Sequence, residues 1–334
     1  RKFHFFLFLI ILKLYLKLFQ LNTIRYFLNL KIIVVLEKPK KLPKRPNFSC
    51  GPCVKRPGWS LDSLKSFAVL GRSHRSQICL NYLNDVIKLT KETLDIPKDF
   101  KVAIVPGSNT GAFEMALWSM LGPLPVDALA WETFGSGWVN DIKNQLKIND
   151  LRIHNADYGN IPDLSLISDD TDICFTWNGT TSGVKVPNAN WISKNRKGIT
   201  FCDATSAIYS QKLEWDKLDV TTFSWQKSMG GEGGHGMLIM SPKAMERLKK
   251  FKPERPLPKL FRLIKDEELI DGIYEGKTIN TPSMLCVADA LDSLLWIKDL
   301  GGWKKTYKKS LSNFEIISNW YNTKDWISNS VKDK

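Results

Sequence analysis

The chain reads as an α/β protein built on a seven-stranded, mainly parallel sheet with helices on both faces, followed by a smaller C-terminal α/β domain. Three observations predict this. Seven short apolar runs recur, at Val102–Val105, Ala128–Trp131, Leu151–His154, Ile173–Thr176, Ile199–Cys202, Val220–Phe223 and Met237–Met240. Segments of helix length separate them, and the runs are continuous rather than alternating, as strands buried on both faces are. Finally, Ser108, Asn109, Trp177, Asp203 and Lys227 fall just past the ends of runs, where open α/β sheets bind ligands.

Residues 1–46 come first and belong to none of this. They carry eleven Lys/Arg against one acid, Glu37. The apolar run Phe3–Leu12 has ten residues, short of the roughly eighteen that span a bilayer, and Lys13 and Lys17 interrupt its continuation. No methionine precedes Met115. The stretch is rich in the residues of A/T-rich codons and reads as a translated upstream segment or a cloning artefact rather than a membrane anchor. Pro39 to Pro46 is a basic linker. Helical periodicity starts at Leu61. Ser76 to Leu94 is an amphipathic helix with Ile78, Leu83, Val86, Ile87 and Leu94 on its apolar side. Pro106-Gly-Ser-Asn-Thr-Gly111 turns a strand into the helix Ala112–Leu121. After Pro282 the chain is helical again, over Met284–Leu300, stopped by Gly301-Gly302, and over Trp303–Tyr321. This gives a tail over 1–46, a large domain over 47–282 and the start of a small domain over 283–334.

A chain of 334 residues that is 43% hydrophobic and 25% charged can bury a large core. Its net charge of +14 would suggest a nucleic-acid partner, but +10 of it lies in residues 1–46. No basic stripe with interleaved aromatics occurs elsewhere, which sets nucleic-acid binding aside. Of the six cysteines, Cys174 and Cys202 lie inside apolar runs, where thiols pack as small hydrophobes. A reducing compartment, the cytoplasm, fits this usage. Cys50-Gly-Pro-Cys53 copies a thiol-redox motif, yet no strand precedes it and Lys55-Arg-Pro-Gly58 follows. A coincidental turn is the plainer reading, with a thiol redox protein as an alternative.

The segment Thr222-Phe-Ser-Trp-Gln-Lys227-Ser-Met-Gly-Gly-Glu-Gly-Gly-His235 carries the most chemistry. A lysine between an apolar strand and a glycine cluster is expected to be buried and partly dehydrated, which favours the nucleophilic amine. Asp203 ends another apolar run. A lysine nucleophile and a strand-end aspartate are what a pyridoxal phosphate site requires. No metal is expected. The turn at Gly107–Gly111 opens a helix and can bind an anion, or can simply be a turn. Trp138 can lie on a planar group or in the core. Trp177-Asn-Gly-Thr180-Thr181-Ser-Gly183 offers hydroxyls and amides, as any polar loop does. Arg75, in Ser73-His74-Arg75-Ser76, can grip a carboxylate or phosphate or cap a helix. Asn280-Thr281-Pro282-Ser283 is open to the same two readings.

Taken together these segments resemble the phosphoserine aminotransferases, within the class V group of fold-type I pyridoxal phosphate enzymes. The motifs are Gly71-Arg-Ser-His-Arg-Ser76, Trp177 to Gly183, Cys202-Asp-Ala-Thr-Ser206, Ser224-Trp-Gln-Lys227 and Ile279-Asn-Thr-Pro-Ser283. The opening Asn47 to Trp59 is similar to that of a bacterial branch, and the likeness covers about residues 46 to 325. The resemblance implies that Lys227 joins the cofactor aldehyde, Asp203 pairs with the pyridine nitrogen, Trp138 stacks on the ring and Thr180 meets the phenolic oxygen. Asn109, Thr110, Thr205 and Gln226 would surround the phosphate, and Asn280 and Thr281 would reach the phosphate of the neighbouring subunit of a homodimer. His74 and Arg75 would contact substrate anions. The implied reaction passes the amino group of glutamate to 3-phosphohydroxypyruvate in serine biosynthesis. Other class V enzymes, a serine– or alanine–glyoxylate aminotransferase or a cysteine desulfurase, are the alternatives. The family's fold ends in a further strand-rich piece with a carboxylate-binding arginine, which this sequence is expected to lack.

Overall fold

The computed structural model describes residues 40–44, 46, 48–67 and 69–332. Its contacts divide the chain into two units, 1–46 and 47–334. In the first, the described residues are exposed and form neither helix nor strand; the expectations for the apolar run Phe3–Leu12 lie outside the described residues. No helix among the described residues is long and apolar enough to cross a membrane.

In the second unit every anticipated strand is present, with its ends moved by a residue or two. The strands are β1 (Lys101–Pro106), β2 (Val126–Ala130), β3 (Leu151–Asn155), β4 (Asp172–Thr176), β5 (Thr200–Asp203), β6 (Val220–Ser224) and β7 (His235–Met240). They form one sheet in the order β1-β7-β6-β5-β4-β2-β3. Only β7 is antiparallel, to both of its neighbours. Asp203 at the end of β5 pairs in register with Thr222 of β6, two residues before that strand ends. The carboxylate and the segment leading to Lys227 therefore leave the same edge of adjacent parallel strands.

Period-two alternation divides the core between the two faces. Val102 and Ile104 of β1 pack with Leu129 and Phe175 on one side. Ala103 and Val105 pack with Ala128 and Phe201 on the other. The first face is covered by α1 (Gln77–Thr93), whose Cys79, Leu83, Val86, Ile87 and Thr90 are buried. Ile78, anticipated on this stripe, is 39% exposed. It lies about 100° around the helix from Cys79, and Cys79 takes the core position. The second face is covered by α2 (Ser108–Met120), with Phe113, Leu117 and Met120 fully buried.

Two helices and a hairpin were not anticipated. The helix α3 (Thr133–Asn140), continued by a π-turn over Asp141–Gln145, forms in the segment Trp131-Glu-Thr-Phe-Gly-Ser-Gly-Trp138 that follows β2. Gly135 and Gly137 hide it from propensity, but the Glu132 carboxylate caps it by accepting from Gly135 N–H at 2.6 Å. The helix α4 (Pro242–Lys250) starts on Ser241, which accepts from Ala244 N–H. A two-residue hairpin pairs β8 (Ile264–Lys265) with β9 (Glu268–Leu269) through Asp266 and Glu267 at positive φ. The late helices fall at the anticipated positions, α5 at Met284–Leu300 and α6 at Trp303–Tyr321.

Candidate active site

Asp203 is 7% exposed. Its Oδ1 accepts from the backbone N–H of Thr205 at 3.0 Å and from the Thr205 hydroxyl at 2.7 Å. Its Oδ2 accepts from Trp138 Nε1 at 3.1 Å. Burial pushes this carboxyl above the ordinary aspartate range, against the lowering effect of those bonds. No side-chain cation pairs with it among the described residues. Asp203 is thus a fixed acceptor, short of one positive partner.

Lys227 follows β6 by three residues and is half-buried, more open than the dehydrated lysine anticipated. Glycines shape its loop. Gly230 N–H donates to the Lys227 carbonyl at 2.8 Å and Gly231 N–H to that of Trp225 at 2.9 Å. Gly230 has a φ of 65°, and a Cβ there would lie 2.5 Å from the Val54 carbonyl oxygen, so only glycine fits. The lysine side chain itself runs against the N-terminal segment. A Cβ on Gly51 would come within 3.2 Å of Lys227 Cε and 3.4 Å of Nζ.

The α2 N-terminus stands beside this loop. Gly107, with a φ of 82°, caps the helix, and Gly107 N–H and Ser108 N–H both donate to Gly234 O. The amides of Asn109 and Thr110 lie in the first turn, where no preceding carbonyl is available, and the helix dipole favours an anion there. Asn109 is buried with Oδ1 unpartnered, and Gln226 Oε1 is likewise buried without a partner. Rotation of either amide presents its NH₂ donors instead.

The other anticipated residues divide. Trp138 is brought to Asp203, its ring tilted 46° against Phe113 at 4.6 Å. Thr205 is also brought there, its hydroxyl donating to the carboxylate. Thr180 is half-buried in the loop after β4, while its neighbour Thr181 bonds to Glu132 Oε2 at 3.1 Å. Asn280 and Thr281 lie in the loop before α5, where Asn280 Nδ2 donates to the Thr281 carbonyl. His74 is half-buried and Arg75 exposed, just ahead of α1. No side-chain hydrogen bond or ion pair joins either of them to Asp203 or Lys227 among the described residues.

Residues 141–295 match the family model for class V aminotransferases. The chain is 51% identical over 290 residues to the phosphoserine aminotransferase of Methanosarcina barkeri, covering 87% of this chain and 78% of that protein. The chain belongs to the phosphoserine aminotransferase family. A solved phosphoserine aminotransferase from Cytophaga hutchinsonii shares the fold, with a TM-score of 0.75 at 20% identity over 85% of this chain and 79% of that one. A pyridoxal-phosphate-bound phosphoserine aminotransferase from Trichomonas vaginalis gives a TM-score of 0.67 at 18% identity over 86% and 80%.

For a member of the phosphoserine aminotransferase family, the residues present fit pyridoxal phosphate. Buried polar groups are rarely left without partners. Here Asn109 Oδ1 and Gln226 Oε1 are so left, and the buried Asp203 lacks a cation. A phosphate at the α2 N-terminus and a protonated ring nitrogen at Asp203 Oδ2 would satisfy them.

His235, the first residue of β7, closes the glycine motif, and the sequence alone assigns it no role. Its ring stacks on Trp225 at 4.9 Å and 21°, and its Nε2 accepts from Ser283 N–H at 3.2 Å. That bond places the ring proton on Nδ1, which is buried and unpartnered. His235 thereby ties the Lys227 loop to the Asn280-Thr281 loop. Burial lowers its pKa from the ordinary value of 6.5, so the unfolded chain takes up a proton at higher pH than the folded one. The linked stability is present above the unfolded value and is lost as pH falls through the depressed folded value. His235→Gln, which keeps an acceptor but cannot titrate, is expected to make the fall in melting temperature between about pH 7 and pH 5 shallower. An unchanged slope in a thermal-melt series would contradict this role.

Proposed function

We propose that the chain transfers the amino group of glutamate to 3-phosphohydroxypyruvate, giving O-phosphoserine and 2-oxoglutarate as a step of serine biosynthesis, with pyridoxal phosphate held at Lys227. The observation that carries this reading is the setting of Asp203 and Lys227 at the ends of adjacent parallel strands, in a chain 51% identical to a phosphoserine aminotransferase.

When bound, the cofactor supplies an aldehyde and a protonated aromatic ring able to take up the electron pair released at a substrate α-carbon. Lys227 Nζ would hold the cofactor at its aldehyde carbon, and the same amine would move the proton at the substrate α-carbon. Asp203 Oδ2 keeps a proton on the ring nitrogen, while Thr205 and Trp138 fix the carboxylate. Trp138 and Thr180 orient the ring. The Asn109 and Thr110 amides, with Gln226, would bind the phosphate, and Thr205 would join them by turning its hydroxyl away from Asp203. His74 and Arg75 bind the substrate anions, Arg75 as a forked donor. The same reading makes the working molecule a homodimer in which Asn280 and Thr281 reach the neighbouring subunit's cofactor. A cytoplasmic setting is supported by Cys174 and Cys202, fully buried in strands as small apolar groups.

Protein loaded with pyridoxal phosphate and given glutamate and 3-phosphohydroxypyruvate is expected to form O-phosphoserine and 2-oxoglutarate in equal amounts. Faster turnover with glyoxylate as the amino acceptor would contradict the substrate assignment.

A further inference from the structure

The segment 48–59 has no helix or strand, yet it passes directly over the Lys227 loop. Cys53 N–H donates to the Gln226 carbonyl at 2.7 Å, Val54 O roofs Gly230, and Gly51 lies against the aliphatic part of Lys227. Without repeating secondary structure, these few contacts are too weak to fix a strap of chain against its ordering entropy. What fixes it lies one step further on. Arg56 forms a forked pair with Asp292, Nε to Oδ2 at 2.7 Å and Nη2 to Oδ1 at 2.8 Å. Lys55 Nζ meets both Asp289 Oδ2 and Glu232 Oε1 at 2.7 Å, and lies 5.3 Å from the centre of the Trp59 ring.

The two aspartates are one turn apart on α5 and only 2% and 9% exposed. Burying two carboxylates on one helix face is costly unless both are paired. Nothing in the apolar packing of α5 calls for them, and among the described residues their ion pairs are with Lys55, Arg56 and no other cation. Glu232 belongs to the glycine loop itself, so Lys55 joins strap, loop and helix at one point.

We propose that Lys55 and Arg56 are positioning residues for Lys227. By locking the strap onto Asp289 and Asp292, they hold Gly51 and Cys53 as a wall of the space in which the Lys227 side chain moves. The inference rests on Lys227 being the reacting amine, and it assigns no direct contact with substrate to either cation. A loosened strap leaves the amine with more rotamers and admits water, which lowers the fraction of molecules aligned for proton transfer.

Cys53 reports on the strap directly. It is half-buried where the strap meets the Lys227 loop, whereas Cys50 is exposed. In the holoenzyme, alkylation by iodoacetamide, read by site-resolved mass spectrometry, should label Cys50 quickly and Cys53 slowly. Arg56→Ala and the milder Asp292→Asn should each speed Cys53 labelling several-fold. They should lower kcat about ten- to a hundredfold and leave KM for glutamate within about twofold. Arg56→Lys, which keeps the charge without the fork, should recover part of both effects. Asp292→Asn serves if Arg56→Ala fails to fold, because Arg56, only partly buried, can then turn to water. Unchanged Cys53 labelling in these variants would overturn the lock. Faster labelling with unchanged kcat would overturn the positioning of Lys227. Labelling does not depend on which lysine reacts, so failure of the strap and failure of the Lys227 assignment are told apart.

Discussion

Asp203→Asn is expected to lower kcat/KM by about a hundred- to a thousandfold while leaving the protein without cofactor at least as stable as the parent near neutral pH. The two effects have one origin. Asn keeps the size of the side chain, and its Oδ1 can still accept from the Thr205 amide and hydroxyl; its amide group loses the bond from Trp138 Nε1, a loss of about 1 kcal/mol that relief of the carboxyl's burial cost offsets. It cannot hold a proton on a ring nitrogen, because it carries no charge. Burial, the largest influence on this carboxyl, raises it above its unfolded value. The folded state then binds more protons than the unfolded one in the window between the two values. The associated stability is fully present below the unfolded value and is lost as pH rises through the folded one. Above the unfolded value the parent therefore carries the cost of burying this carboxyl, and the uncharged variant does not. A residue kept against stability at the site of the chemistry is what a trade-off between stability and activity predicts. Thermal melts from about pH 3 to pH 8, set beside steady-state kinetics, test it. A destabilised variant, or one with full activity, would contradict the role of Asp203.

Lys227→Ala is expected to have the larger effect on rate. The amine is assigned two duties, holding the cofactor aldehyde and moving a proton at the substrate α-carbon. Proton transfer alone accounts for about a hundred- to ten-thousandfold. Loss of both should take turnover below about a thousandth of the parent rate. Folding should survive, because the side chain is half-buried, forms no ion pair among the described residues, and lies against Gly51 rather than in the apolar core. Kinetics with saturating pyridoxal phosphate, alongside an unchanged melting temperature, give the check. Retention of more than about a tenth of the parent rate would place the nucleophile elsewhere.

Much of this arrangement is legible in the sequence, for a physical reason. Strands of a sheet covered on both faces are continuous apolar runs, and β1 to β7 stand out for that alone. Long amphipathic helices such as α1, and helices closed by glycine such as α5, announce both periodicity and ends. The helix α3 escapes notice because Gly135 and Gly137 carry poor propensity, and what starts it is a single carboxylate, Glu132. The hairpin β8–β9 escapes because Asp266-Glu267 is not the Asn-Gly or Asp-Gly turn by which hairpins are usually recognised.

Within the candidate site, the positions of Asp203 and Lys227 were legible because Asp203 ends an apolar run and Lys227 stands between another such run and a glycine cluster. His235 was not, since a lone histidine among glycines has no pattern to betray it, and its partner Ser283 is 48 residues away. The lock on the strap is further from view. Lys55 and Arg56 look like part of a basic, turn-rich segment, and their partners lie 234 and 236 residues on. On α5 those partners pass for the polar positions of an ordinary helix. The half-burial of Lys227 is tied to the same long-range fact, because the strap lies against its side chain at Gly51.

The central claim is that one amine, that of Lys227, takes the cofactor. The most direct measurement is borohydride reduction of the protein loaded with pyridoxal phosphate, followed by peptide mapping for the pyridoxyl group. The label is expected on Lys227, in the peptide that runs on into Ser228-Met-Gly-Gly. A stoichiometric label on any other lysine, with Lys227 unmodified, would contradict the assignment of this site.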